Sequence, residues 1–470
     1  MAFLHGVETQ SINKGPVPVT VVRSGVIGLL GISPKGSVNT PILVTSAQEA
    51  AQFGSQLPGF NIPKALADIF AQGAGAVIVV NVFNDTSDVL TVTAETHVIT
   101  AGKTKTTYPP VKDFVLKDSA GTITFVKDTD YTVDDFGNIV VLNFTAIPEA
   151  STVKADYKRL DTTAIDNAQL IGTISGSDVY TGAQCWDLAY NLFGMRPKLL
   201  MAPGYTSITA IRNELQSKAD KYRGFCLIDA PAATTVAVAI AGRGPAGAIN
   251  FFTSHKRTIL CYPYMKAFDT YSNADEIRPM SQFAGGLIAN NDNVNGYWFS
   301  PSNKEFKGVT GVERTISWAL NDTNSNANKL NEVGICTVAS GFGTGYRFWG
   351  NRSALYPSAT TMDNFIAVLR TADVVDESVE QACLQFIDLP INNGLIDSIQ
   401  ETVNSFIRTL VGRGALVDGN CYFDPADNPP VEIAAGHLTF TNSLAPPIPG
   451  ERITFKSVLD VNLLKTLIAQ

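Results

Sequence analysis

Apolar residues along this 470-residue chain change texture several times, and the changes mark out its parts. Met1 to Asn13 shows no period and few core candidates, so it reads as an extended arm. Val17 to Ile32 is strand-rich. Pro41 to Thr45 reads as a buried strand running into Ser46-Ala47-Gln48-Glu49, a capping-box pattern that opens a short helix ended by Gly54. Pro63 starts a second helix that reaches Phe70, with Gly73 after its end. Ala76 to Val82 is continuously apolar, which suits a strand covered on both faces of its sheet.

Between Asp88 and Asp161 the period becomes two. Strands are predicted at Thr91 to Val98, Thr122 to Val126, Tyr131 to Val133, Ile139 to Leu142 and Val153 to Tyr157, separated by Asp-, Gly- and Lys-rich turns. Helix–strand alternation then returns. Helices are predicted at Cys185 to Phe193, Thr206 to Tyr222 and Thr234 to Ala241, with strands at Lys198 to Ala202, Phe225 to Ile228 and Thr258 to Tyr262, the order of a mostly parallel sheet. Towards the end, a strand at Phe365 to Leu369 precedes helices at Asp373 to Phe386 and Leu395 to Val411, and His437 to Thr441 closes the domain. Pro446, Pro447 and Pro449 then hold the chain extended ahead of Arg452 to Leu467.

The predicted fold class is therefore multidomain α/β and α+β. Residues 1–20 form an N-terminal arm, and 21–87 with 162–344 a discontinuous α/β domain interrupted by an all-β module at 88–161. A C-terminal α+β domain spans 345–443, and a C-terminal arm 444–470.

A net charge of −8 argues against nucleic-acid or anionic-membrane binding, and no segment is long and apolar enough to span a bilayer. Met1 to Gln10 lacks the pattern of a signal peptide, which predicts a soluble protein made in a cytoplasm. Six scattered cysteines with no C-x-x-C spacing predict buried free thiols. Gly242-Arg243-Gly244-Pro245-Ala246-Gly247 spells the dinucleotide fingerprint. It follows a helix pattern rather than a strand, and Pro245 removes an N–H that a pyrophosphate needs. The four histidines are isolated, and no P-loop or nucleophile elbow occurs. No catalytic residue, cofactor or metal ligand is predicted.

One run stands out: Gly345-Tyr346-Arg347-Phe348-Trp349-Gly350-Asn351-Arg352. Glycines that admit close backbone approach, rigid aromatic faces and forked arginines mark a packed domain junction or a protein–protein contact. The run resembles the "GxRFWGNR" stretch of contractile tail sheath proteins from phages and phage-tail-like particles. Four other segments resemble that family in the family's order. They are Gln72 to Val82, Ile171-Gly172-Thr173 with Tyr180-Thr181-Gly182, Arg196-Pro197 through Pro203-Gly204, and Phe306 to Val312. Only 88–161 departs from the pattern.

The resemblance implies a structural protein rather than an enzyme. Its subunits would form a helical tube around an inner tail tube and contract when a baseplate triggers them. They would be linked by N- and C-terminal arms that add strands to a neighbour's C-terminal domain. Implied partners are further copies of the chain, the inner tube protein, and baseplate and tail terminator proteins, with no direct nucleic acid and no membrane insertion. The implied location is the tail of a virion or phage-tail-like particle assembled in a bacterial cytoplasm. The module would face outward and 345–443 the tube. Arg347, Phe348, Trp349, Asn351, Arg352, Ile453, Thr454 and Phe455 are the expected packing and intersubunit residues. Two alternatives stay open: an enzyme on a doubly wound sheet, and a surface adhesin or tail-fibre-like protein suggested by the β module.

Overall fold

The computed structural model describes residue 19, residues 21–341, residue 343 and residues 345–462. The expected arm Met1 to Asn13 lies outside these residues.

A nine-stranded sheet organises the chain. Its order runs Lys304–Glu305, Arg347–Trp349, Ile335–Ala339, Thr258–Cys261, Phe225–Asp229, Leu199–Met201, Ile27–Gly31, Val77–Asn81, Ile42–Val44. The six strands from Ile335–Ala339 to Val77–Asn81 are parallel, and antiparallel strands close both edges. Ile27–Gly31, Val77–Asn81, Phe225–Asp229 and Ile335–Ala339 are buried at every position, because helices cover both faces. Arg347–Trp349 lies inside this sheet, so the α/β layer continues past residue 344. The predicted boundary at 345 is too early.

The β module carries two three-stranded sheets. One is Val89–Val98, Thr152–Leu160, Val111–Asp118, and the other Lys103–Lys105, Asn138–Val141, Tyr131–Val133. Ile99, Leu116, Tyr131, Ile139, Ile147 and Ala155 are among the buried residues of its separate core. Thr122 to Val126 forms only an isolated antiparallel bridge, Thr124 to Lys117, instead of the predicted strand. The Asp118 carboxylate accepts the Thr122 and Ile123 amides at 2.7 and 2.8 Å, taking donors that a strand would pair. The module's two ends meet in a stem, where the Asp161 N–H donates to the Asp88 carbonyl at 2.9 Å and Val89 pairs with Leu160. Val89 and Leu160 pack on the main core, while Phe136 stacks on Tyr271 at 5.5 Å to steady the far end. Replacing 90–159 with a short Gly/Ser bridge should therefore leave a soluble, folded protein. It would lose the Phe136–Tyr271 stack, the Lys105 ammonium over the same Tyr271 ring and the solvent-exposed ion pairs Asp135–Lys35 and Lys112–Asp85. Together these are worth about 2 kcal/mol, and its melting point should fall by a few degrees at most. An insoluble product would place the module in the main core.

Beyond the sheet, the helix Ile366–Cys383 is the spine of the C-terminal part. Its first residues, Ile366 to Thr371, are all buried, so the sequence shows an apolar block rather than a helical stripe. That block is the predicted strand at Phe365 to Leu369, which the structure corrects to helix. Ile366 and Leu369 belong to the main core. Val375 belongs to a second core with Val403, Phe406, Ile407 and Leu410 of the helix Asn393–Gly412.

Between these cores the spine is held by charge. Arg370 pairs with Asp292, Asp373 with Arg257, Glu377 with Lys198 and Glu380 with Arg223, at spacings of three, four and three that share one helix face. Arg370 donates to the Asp292 Oδ1 at 2.7 Å, Ser24 Oγ donates to Oδ2 at 2.6 Å, and all three residues are buried. Burial pushes the Asp373 carboxyl up and the Lys198 ammonium down from their ordinary values.

The closing strand is Thr441–Ala445, not His437 to Thr441. It pairs with Asp418–Tyr422 in a two-stranded ribbon. Asn428 explains the shift: its amide donates to the Thr439 carbonyl and its Oδ1 accepts the Thr439 N–H, which keeps 437–440 a loop. Leu444 and Ala445 thus belong to the domain, and the arm begins after them.

Candidate assembly site: the signature run and the root of the C-terminal arm

The run 345–352 divides its work between two sides. Phe348 sits fully buried in the strand Arg347–Trp349, edge-on to Phe306 at 6.1 Å, which in turn meets Phe283. Trp349 is half-buried and edge-on to Trp318 at 5.5 Å. Arg347 donates to the Asn303 carbonyl at 3.1 Å across the sheet edge. Gly350, at φ +140°, is where the chain passes so close to the neighbouring strand that a Cβ would lie 3.0 Å from Cys336 Cα. The Asn351 carbonyl accepts the N–H of Ile366, the first residue of the spine helix. The run is thus a junction between sheet and spine. Because Phe348 is buried and Trp349 only half so, Phe348→Ala should cost about 3 kcal/mol and Trp349→Ala about 2 kcal/mol. Equal thermal stabilities for wild type and Phe348→Ala would contradict this packing.

Arg352 does something different. Its guanidinium lies over Tyr356 and Phe365, 4.2 and 4.4 Å from the ring centres, and donates to Asn364 Oδ1 at 2.9 Å. Its remaining fork grips Glu451, with Nε donating to Oε1 at 2.9 Å and Nη2 to Oε2 at 2.5 Å. Glu451 holds the guanidinium above its usual pKa range. After Glu451 the described chain has no helix or strand apart from a terminal turn at 461–462, and residues 451–462 are all exposed. Ile453 is 76% and Phe455 88% exposed, Thr454 is exposed between them, and Val458, Leu459 and Val461 follow in the same state. The structure therefore brings Arg352 to the arm's root but does not bring Ile453, Thr454 or Phe455 onto the run. Sequence reasoning missed Glu451, Tyr356, Asn364 and Phe365, and a separation of 99 positions between the charged partners leaves no local signal.

The chemistry-bearing candidates resolve into structure. Arg243, in the G-x-G-x-x-G segment, donates to the carbonyls of Val333, Phe251, Thr253, Ala354 and Tyr356, and burial lowers its pKa to about 10. That fork knits three loops together. In the main sheet, chain order reverses direction between Leu199–Met201 and Ile27–Gly31, where doubly wound enzymes bind ligands. Here Asn61 fills the crevice: its Oδ1 accepts the Ile32 N–H and its amide donates to the Pro203 carbonyl, both at 2.7 Å. A Cβ on Gly31 would lie 2.3 Å from that oxygen. All six cysteines are free. Five are buried, whereas Cys383 is half-exposed.

One buried carboxyl has a pH consequence. Asp229 ends the strand Phe225–Asp229 and accepts the Ser281 N–H at 2.8 Å, and its other oxygen has no partner among the described residues. Burial pushes its pKa up to about 7, above the unfolded value near 4. The stability it contributes is complete below pH 4 and is lost as pH rises through 7. Asp229→Asn should therefore match wild type near pH 4 and exceed it by on the order of 2 kcal/mol at pH 8. Thermal melts across that range would refute this if the variant lost stability at pH 8.

Comparison with known proteins bears on the whole chain. The phage tail sheath protein central domain matches residues 178–354 and the phage tail sheath C-terminal domain matches 358–460. A family of unknown function matches 84–169, the segment that contains the β module. The tail sheath protein of Burkholderia phage BcepMu is 44% identical over 474 aligned residues, covering 99% of this chain and 98% of that one. The tail sheath protein of Escherichia phage P2 is 29% identical over 64% of this chain and 73% of its own length. Among solved structures, the contracted helical sheath of the anti-feeding prophage shares the fold. Its TM-score is 0.61 at 16% identity, over 98% of this chain and 100% of that one. The sheath of an extracellular contractile injection system in its contracted state matches with TM-score 0.59 at 14% identity, over 98% and 99%. With near-complete coverage by a relative of that identity, the chain belongs to the phage tail sheath proteins, a family of structural sheath subunits.

Proposed function

We propose that this chain polymerises head to tail into a helical sheath around an inner tail tube, and that contraction of that sheath drives the tube through a target envelope. One observation carries the reading. Residues 451–462 present five exposed large apolar side chains on extended chain, while each strand of the ribbon Asp418–Tyr422/Thr441–Ala445 pairs on one side only among the described residues. Donor segment and open acceptor edge occur on one chain, and main-chain pairing between copies satisfies both. Contacts of this kind that do not close into a ring generate a helix. Val19 packs on the C-terminal core and the Val22 N–H donates to Ser378 Oγ at 3.2 Å, so the N-terminal arm also sets out from this region.

The β module faces outward and the C-terminal part faces the tube. Its partners are further copies of the chain, the inner tube, and baseplate and terminator proteins, in the tail of a virion or phage-tail-like particle. The chain is not an enzyme. The filled crevice at Asn61 and the structural role of Arg243 support this, since they occupy the two places where a doubly wound enzyme would hold substrate or cofactor. Negative-stain electron microscopy of the purified full-length chain tests the reading. Tubes of uniform diameter are expected, and a monomer with hydrolytic activity and no tubes would overturn it.

A further inference from the structure

The Arg352–Glu451 pair is built more carefully than a surface ion pair between flexible side chains. Arg352 has 17% of its side chain exposed. It is stacked on two rings and fixed by Asn364 before Glu451 arrives, so its fork is pre-organised and loses little freedom on binding a carboxylate. Asn364 is itself held, with its amide donating to the Thr361 carbonyl and the Ser353 N–H donating to its own carbonyl. Glu451 contributes the opposite property, because it stands at the start of an exposed segment. On its N-terminal side, Ala445 is fixed in the ribbon, where its carbonyl accepts the Val417 N–H at 2.8 Å. Pro446, Pro447 and Pro449 stiffen the five residues between ribbon and clasp. The arm is thus fixed at two points, and the second lies on the junction between main sheet and spine, not on the domain that the arm leaves.

We infer that Arg352 is the positioning residue of the C-terminal arm. By clasping Glu451 it fixes the point and heading from which Ile453 to Val461 is presented to a second copy of this chain. This rests on the arm-exchange reading above and adds to it a defined launch point. Ordering the root in advance removes part of the conformational entropy that pairing would otherwise cost, so the clasp acts on the rate and register of assembly and hardly at all on the stability of the subunit.

The sequence supplies its own probe. Trypsin cleaves after Arg452, next to the clasp, and after Lys456, beyond it. In unassembled wild-type subunit the Arg452 bond should be cut more slowly than the Lys456 bond, because a protease needs several residues to yield on both sides of the cut. Glu451→Gln, and separately Arg352→Lys, should raise the Arg452:Lys456 cleavage ratio about tenfold. The melting point should stay within about 2 °C of wild type, and the rate of tube formation should fall by about tenfold. An unchanged ratio in both variants overturns the clasp. A raised ratio with normal assembly overturns its positioning role. Normal tubes from a chain ending at Gly450 would instead overturn arm exchange itself, whatever the cleavage ratio shows.

Discussion

Ending the chain at Gly450 should leave a subunit that folds and melts like the full-length protein and forms no tubes. The cut lies beyond Ala445, the last ribbon residue. A cut before Leu444 would remove two residues that pair with Asp418 and Gly419. Everything removed at Gly450 that the structure describes is exposed, so no core contact is lost. What is lost, on the arm-exchange proposal, is the donor strand. If four to six backbone hydrogen bonds form at each contact, at roughly 1 kcal/mol net apiece, the arm contributes on the order of 5 kcal/mol per subunit. That is several thousandfold in association at every lattice step. Thermal unfolding of the shortened chain beside electron microscopy of its assembly decides the matter. Tubes of normal length would defeat the arm-exchange reading, and an unfolded product would show that the segment belongs to the subunit's own core.

The second large effect is expected at the spine. Arg370→Met removes the cation facing Asp292 and leaves a buried carboxylate with Ser24 Oγ as its remaining side-chain donor. Breaking one side of such a pair costs about 3–5 kcal/mol, because the surviving charge keeps its desolvation penalty. In a chain of this size that amounts to a fall of about 5–10 °C in melting temperature. Pairing Arg370→Met with Asp292→Leu should recover most of the loss, since no orphaned charge then remains. If the double variant were no better than the single one, shape at the site rather than charge would be what matters. Glu380→Ala should barely register, because both Glu380 and Arg223 reach solvent.

The sequence is most legible where burial and period coincide. Ala76 to Val82 and Phe225 to Ile228 show unbroken apolar runs because their strands are covered on both faces, and each has a neighbouring strand on either side in the main sheet. The amphipathic stripe from Leu395 to Leu410 marks its helix to within two residues at the N-terminal end. The same logic misleads at Phe365 to Leu369, where a helix buried all round loses its stripe and imitates a strand. The strand Val111–Asp118 escapes notice because its register slips between Lys112 and Val115, with Asp113 at φ +53°, so the alternation breaks in mid-strand. Within the site, Phe348 and Trp349 announce themselves by residue type. The partnership of Arg352 with Glu451 does not, because it exists only after the ribbon has turned the chain back toward the sheet.

The stem of the β module has a consequence for how such chains diversify. Its two strands leave the main core side by side, joined by the Asp161–Asp88 hydrogen bond and the Val89–Leu160 pair. A segment entering and leaving through one antiparallel pair imposes a single requirement on whatever it carries: termini about 5 Å apart. Neighbouring turns of the main sheet need not adjust. The stem therefore works as a grafting point, at which evolution can gain, lose or exchange an entire domain while the frame that builds the sheath is inherited unchanged.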